Sequence, residues 1–313
     1  MYPKITIGPV TVPGYGLMVF LGVVACFLTG FLLLKFAEKE PLAVILKSLG
    51  LLAASFVCMY LSARLFDALF HSLQRGELTA AGITWEGGVV GGFTAYVLLA
   101  HFFLREKRGQ VLRHFSCLIP GVALGHALGR VGCFFGGCCY GKVSFAHGVV
   151  FPDGSPADLA IPNNLPGSVP VLPTQLYEAG FELLLFLLML ALYRRMKKDN
   201  LSFWLVTYGV FRFVLEFFRG DDRGSTGFFL SPSQLMSIVL VVAGVLVFLF
   251  ERGKIFPRLN SKTAVWREEA PLPPPGKTDR VLAQIDALHR LLESGGITEE
   301  EYEEKKAELL RRL

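Results

Sequence analysis

Seven apolar runs separated by short polar stretches set the pattern of this chain. They fall at about 16–36, 43–70, 88–104, 115–136, 175–193, 201–218 and 233–250. Each is long enough, or nearly so, to cross the roughly 30 Å hydrocarbon core of a bilayer as a helix. The second is long enough to tilt, or to run past the bilayer as an amphipathic turn carrying Arg64 and Asp67. The first run is predicted to persist as a helix, because Lys4 is the only basic residue before it and no clear small-residue cleavage site follows. The predicted fold is therefore all-α, a polytopic membrane bundle of seven transmembrane helices with an extracytoplasmic cap and a small cytoplasmic helical hairpin.

Charge orients this bundle. Lys35 and Lys39, then Arg105, Lys107, Arg108 and Arg113, then Arg194, Arg195, Lys197 and Lys198, then Arg252, Lys254 and Arg258 occupy every second connection. The positive-inside rule puts those connections in the cytoplasm, the N-terminus outside and the C-terminus inside. The loops at about 71–87, 141–174 and 219–232 then share the outer face. The 141–174 loop, rich in Pro, Gly and Asp and without periodicity, is predicted to be an irregular lid.

Three divisions follow: a seven-span domain at 1–256, a Pro-rich linker at 257–278 and a helical hairpin at 279–313. The linker ends in Pro271-Leu272-Pro273-Pro274-Pro275-Gly276, a semi-rigid spacer. In the hairpin, Val281, Leu282, Ile285, Leu288, Leu291 and Leu292 recur at helical spacing, and Thr298 with Glu301 opens a second helix after Gly295-Gly296. This tail resembles the short C-terminal domain appended to many bacterial proteins. It reads as a solvated amphipathic unit or as a docking element for an unknown cytoplasmic partner.

Composition agrees with a membrane chain: of 313 residues, 52% are hydrophobic, only 18% are charged and 27 are Phe. The net charge of +5 is spread in short clusters between apolar runs, which excludes a nucleic-acid partner.

Against that background a few polar residues stand out. Arg130 lies in the glycine-rich stretch Gly125-His126-Ala127-Leu128-Gly129-Arg130-Val131-Gly132-Cys133, and an arginine in an apolar helix is a functional candidate by default. Arg212 and Glu216 are spaced i, i+4, with Tyr208 and Arg219 on the same stripe. They read as intrahelical ion pairs near the interface or as one cationic face. Thr174-Gln175-Leu176-Tyr177-Glu178 opens the fifth run after a proline, where Thr174 suits an N-cap and Glu178 a first-turn charge. Tyr15 sits between glycines as an aromatic-belt anchor or a site residue, and Glu86 stands at the mouth of the third run as a cap or a base.

Taken in order, Tyr15-Gly16-Leu17-Met18, Trp85-Glu86-Gly87-Gly88, Gly129-Arg130-Val131-Gly132 with Gly141, Gln175-Leu176-Tyr177-Glu178, Tyr208 with Arg212, Glu216 and Arg219, and Ser233-Gln234 resemble the prolipoprotein diacylglyceryl transferase family over about residues 5–250. The resemblance implies an enzyme of the bacterial inner membrane. It would move the diacylglyceryl group of phosphatidylglycerol to the lipobox cysteine of a prolipoprotein at the outer face. Arg130, Arg212, Tyr208 and Glu86 are then the catalytic candidates, and Tyr15, Gly141, Gln175, Tyr177, Glu178, Glu216 and Arg219 the substrate-binding ones.

The chemistry suits them: arginines hold a phosphodiester and receive the leaving charge, and a base, Tyr208 or Glu86, takes the thiol proton. The chain departs from the family at Glu86, where a histidine is usual, and at Cys133, Gly136 and Cys138, where asparagines and an acidic residue are usual. A relative acting on another acceptor, or a lipid-binding scaffold, is the alternative. Cys133, Cys138 and Cys139 match neither a C-x-x-C pair nor a four-ligand zinc pattern, so no metal and no cofactor is expected. Cys133 and Cys138 suit a disulfide or simple packing, and Cys26, Cys58 and Cys117 packing alone.

Overall fold

Backbone polar groups in hydrocarbon must satisfy one another, so long apolar runs fold as helices. The computed structural model describes residues 4–7, 10–75, 85–104, 111–159, 169–196, 198–221, 229–254, 277–293 and 298–311. The first compact unit, Met1–Val265, begins with a strand pair, β1 (Lys4–Ile7) and β2 (Val10–Pro13), joined antiparallel with Lys4 opposite Pro13 and Ile7 opposite Val10. The chain is mostly helical, as expected, and this pair is a small addition to it. Its β-branched residues fit a pleat, but four residues per strand are too few to register as a pattern beside a long apolar run.

The helices follow as α1 (Gly14–Leu32), α2 (Leu42–Arg75), α3 (Trp85–Phe103), α4 (Val111–Gly136), α5 (Pro156–Leu159), α6 (Thr174–Ala191), α7 (Tyr193–Met196), α8 (Asn200–Leu215) and α9 (Pro232–Glu251). A π-helical turn at Leu33–Ala37 extends α1, and a 3-10 turn at Glu216–Phe218 extends α8. Six helical segments are long and apolar enough to cross a membrane: Gly14–Ala37, Leu42–Phe66, His114–Gly136, Thr174–Ala191, Asn200–Phe218 and Pro232–Glu251. The apolar part of α3, Gly87–Phe103, is shorter. The protein is thus a multi-pass membrane protein. Much of the expected 141–174 lid is irregular chain, tied by bridges Val143 to Val171 and Val149 to Val171 over a small core of Tyr140, Phe151, Ala157 and Val171.

Close backbone approach organises the bundle. Helix α4 packs on α1, α6 and α8, while α2 packs on α3 and α8 on α9. A Cβ on Gly121 would lie 2.6 Å from the Cys26 carbonyl oxygen, and one on Gly22 would lie 2.7 Å from that of Gly125. Small residues therefore let α1 and α4 touch backbone to backbone, the contact that holds helices together where lipid removes the hydrophobic drive. Helix α9 starts at a capping box in which the Ser231 hydroxyl accepts from the Gln234 amide and the Gln234 side chain accepts from the Ser231 amide.

The second unit, Trp266–Leu313, contains α10 (Lys277–Glu293) and α11 (Glu299–Leu310), packed on each other. Thr298 and Glu301 form the expected capping box. The Pro-rich stretch and Gly295-Gly296 lie outside the described residues.

Gly121→Ala is expected to lower the unfolding temperature of the detergent-solubilised protein, because the added methyl collides with backbone and over-packing costs about 1–3 kcal/mol. Gly50→Ala, which meets nothing within 4 Å in α2, is expected to leave it unchanged or raised.

Candidate functional site

The site forms where α4 and α8 end and α6 and α9 begin. Along α6 the buried residues Thr174, Gln175, Glu178, Ala179, Glu182, Leu185 and Met189 make one helical face. That face turns two carboxylates inward. Glu178 is bonded through Oε2 by the Arg130 guanidinium of α4 and through Oε1 by the Tyr208 hydroxyl of α8, at 2.9 Å. Glu182, one turn on, takes the Trp204 indole N–H at 2.9 Å on Oε2 and meets His126 Nδ1 at 2.9 Å on Oε1. The His126 ring sets its edge against the Tyr208 ring, which stacks on Trp204 with 5° between planes. Three helices are thereby locked around two buried charges.

A second layer surrounds the first. Arg212 donates to Glu216 Oε2 at 2.6 Å, and Glu216 Oε1 accepts the Ser231 hydroxyl at 2.9 Å, so the cap of α9 and the end of α8 share one carboxylate. Arg219 grips Asp221 with two hydrogen bonds of 2.8 and 2.7 Å. Burial works against the Arg219 charge, but the bonds and charge of Asp221 more than reverse that, so its pKa stands above the ordinary value. Arg130, His126, Arg212 and Arg219 all lie within electrostatic range of Glu178. Each of the three arginines is charge-paired and still keeps one buried guanidinium nitrogen without a hydrogen-bond partner among the described residues: Arg130 Nε, Arg212 Nη2 and Arg219 Nη1.

The chain after α4 completes the site. Gly137 and Cys139 adopt left-handed φ of 66° and 63°, which folds the irregular chain of residues 137–141 back over the helix end. The Cys138 carbonyl accepts from the Gln175 amide at 2.7 Å and the Cys139 carbonyl from the Thr174 hydroxyl at 3.0 Å. All six cysteines are thiols. The sulfurs of Cys133, Cys138 and Cys139 lie within 4.8 Å of one another, a set able to hold a thiophilic cation, and Arg130 Nη1 points at the Cys133 sulfur from 3.9 Å.

The structure thus gathers Arg130, Gln175, Glu178, Tyr208, Arg212, Glu216 and Arg219. Tyr15 lies beside them: it is half exposed, its ring borders Gly132, and its hydroxyl is within electrostatic range of Arg130 and the three cysteines. Gly141 is a crossing point rather than a contact by side chain. It pairs with Arg219 along the backbone, and a Cβ there would strike Leu172, Thr174 and the Phe218 carbonyl at 2.7–2.8 Å. Tyr177 falls on the exposed face of α6, away from the gathered carboxylates, because residue 177 follows the buried stripe by only two positions from Gln175. Glu86 is the second residue of α3, and its side chain lies outside the described residues. Glu182, Trp204 and Asp221 were missed. A carboxylate inside an apolar run was the available signal for Glu182.

The described residues thus set buried arginines with spare donors against carboxylates inside a multi-pass membrane protein. The sequence profile described as prolipoprotein diacylglyceryl transferase matches residues 4–250, and the chain belongs to that family. A second profile, described as short C-terminal domain, matches residues 283–310. Relatives include a phosphatidylglycerol–prolipoprotein diacylglyceryl transferase of Dehalococcoides mccartyi (strain ATCC BAA-2266 / KCTC 15142 / 195), 30% identical over 256 residues that make up 80% of this chain and 93% of the relative. One from Geobacter sulfurreducens is 31% identical over 256 residues, 78% and 92% of the two chains. One from Clostridium tetani is 33% identical over 174 residues, 55% of this chain, and that match spans less than two thirds of the relative, 65%.

Removing the Glu178 carboxylate leaves Arg130 buried without its counter-charge, which typically costs 3–5 kcal/mol. Glu178→Ala is therefore expected to lower the unfolding temperature in detergent sharply. The double variant Arg130→Met/Glu178→Met is expected to recover much of that loss, since replacing both charges removes the uncompensated one.

Proposed function

We propose that the protein transfers the diacylglyceryl group of phosphatidylglycerol to the lipobox cysteine thiol of prolipoproteins, at the outer face of a bacterial inner membrane. The observation that supports this reading is the set of three spare, buried guanidinium donors on Arg130, Arg212 and Arg219 around Glu178. A phosphodiester offers several acceptor oxygens, and donors fixed in a poorly solvated site stabilise the charge that grows on the leaving glycerol phosphate. Because each arginine is already paired with a carboxylate, its head group is held in place before lipid arrives. Glu178 orients Arg130, Glu216 orients Arg212 and Asp221 orients Arg219, while Tyr208 positions Glu178. Gln175 and Gly141 shape the backbone beside the lipid phosphate, and Tyr15 and Tyr177 flank the acyl side.

In this reading α3 is the seventh span, lying beside α2. The Lys/Arg-rich connections face the cytoplasm, the N-terminus lies outside and the hairpin of α10 and α11 lies inside. The domain of residues 1–256 carries the chemistry, and 257–278 is a spacer. Tyr208 gives its hydroxyl hydrogen to Glu178, and Glu86, in the first turn of α3, is the candidate base for the substrate thiol.

Arg130→Gln is expected to cut transfer of labelled lipid from phosphatidylglycerol to a lipobox peptide by about 10²-fold or more, the loss typical of removing a transition-state donor. Arg130→Lys is expected to restore little, because an ammonium cannot reproduce a planar two-point contact. Near-normal transfer by Arg130→Gln would remove the phosphate clamp. Topology has its own check: a membrane-impermeant thiol reagent added outside whole cells is expected to label a reporter cysteine in the 141–174 loop and to miss one in the 257–278 stretch. The reverse labelling pattern would place the site on the wrong side of the membrane for this substrate.

A further inference from the structure

Three thiols converge beside Arg130, and no part of the transfer mechanism described above uses them. Their convergence is built, not incidental. Cys133 sits in the last turn of α4 and would ordinarily be separated from Cys138 and Cys139 by a departing chain. Instead Gly137 and Cys139 both turn left-handed, and for a non-glycine residue that backbone costs about 1–2 kcal/mol. Two fully buried side chains, Gln175 and Thr174, hold the strained turn by its carbonyls. The outcome is three sulfurs within 4.8 Å of one another. Zinc bonds thiolate sulfur at about 2.3 Å, so a tetrahedral ion keeps its sulfurs about 3.8 Å apart, a spacing this cluster meets with small side-chain adjustment. Three thiolates and one zinc ion leave a charge of −1, and Arg130 Nη1 already lies 3.9 Å from the Cys133 sulfur. All three residues are partly exposed.

We propose that Cys133, Cys138 and Cys139 bind a zinc ion whose fourth position takes the substrate cysteine as a thiolate and presents it to the lipid. This reading rests on the proposed transfer reaction and deepens it. A zinc site with three protein ligands and an exchangeable fourth position is the catalytic arrangement, and a thiol bound to zinc is deprotonated outright. The substrate thiol displaces a zinc-bound water and its proton passes to solvent water, so no strong side-chain base is required. The bound sulfur then attacks the glyceryl carbon of phosphatidylglycerol with its electron pair. The carbon–sulfur bond forms as the carbon–oxygen bond to phosphate breaks, and glycerol phosphate leaves with that bond's electron pair, held by the arginines. Zinc keeps its oxidation state throughout. The linear spacing of the cysteines gave no zinc pattern because the left-handed turn, not the interval in sequence, brings the sulfurs together.

The test uses the full-length protein purified without chelator. About one zinc per chain by elemental analysis is expected, retained in Cys58→Ser and lost in Cys138→Ser and Cys133→Ser. Replacing zinc by Co²⁺ is expected to give sulfur-to-metal charge-transfer bands that change when a lipobox peptide is added and stay fixed with the same peptide carrying serine for cysteine. Three metal-free titratable thiols in the active protein, a Cys133–Cys138 disulfide with full transfer, or cobalt bands indifferent to the peptide thiol would each overturn the proposal. The two readings fail separately. Full transfer by metal-free protein rejects the zinc and keeps the transferase, whereas cobalt bands that respond to the peptide thiol in a wild-type protein forming no thioether keep the thiol site and reject the transfer.

Discussion

The site depends on one buried carboxylate. Glu178 is enclosed by protein in an apolar bundle, where an isolated charge is not sustainable. It is tolerated because Arg130 from α4 and the Tyr208 hydroxyl from α8 each occupy one of its oxygens. That single group therefore fixes three helices in register, and it fixes the direction in which Arg130 presents its remaining donor. Glu182 repeats the device one turn deeper with His126 and Trp204. A carboxylate pair on one helix face thus serves as the keystone for residues on both neighbours.

In the proposed transfer reaction, the work falls to what that arrangement leaves over. Arginines in a membrane need counter-charges to be stable, and a counter-charge on one edge of a planar guanidinium leaves the other edge free to bind. Pairing with Glu178, Glu216 and Asp221 is what allows Arg130, Arg212 and Arg219 to stand ready with buried, unused N–H groups. The glycine contacts between α1 and α4 matter to this geometry too. They seat the end of α4 against Tyr15 at Gly132, next to the chain reversal that carries the thiols.

Local features were readable in the chain and non-local ones were not. The Arg212–Glu216 pair is an i, i+4 interaction on one helix, and the Thr298–Glu301 cap spans three residues, so sequence spacing alone identifies both. Arg130 and Arg212 drew attention because charge inside an apolar run is costly wherever it occurs. Their family pattern, read as an ordered set, led to the family that the profile match bears out. Glu182 sat unremarked in an apolar run because its partners come from other helices, 56 and 22 residues away. Tyr177 entered with the Gln175-Leu176-Tyr177-Glu178 motif as a whole, although neighbours in a helix point in different directions. The strand pair at the N-terminus was too short to show a period. The thiol cluster depended on two left-handed residues, of which only Gly137 is a residue type that announces one.

The central claim is that the arginine–carboxylate cluster is the seat of a carbon–sulfur bond-forming reaction on a lipid. Purified protein in nanodiscs containing phosphatidylglycerol doubly labelled in its acyl chains and in its terminal glycerol, given a lipobox peptide, tests it most directly. The account predicts that thioether-linked diacylglyceryl peptide and free glycerol phosphate appear together in a one-to-one ratio. Stable binding of the lipid with neither product, or release of glycerol phosphate with no lipid on the peptide sulfur, would contradict it.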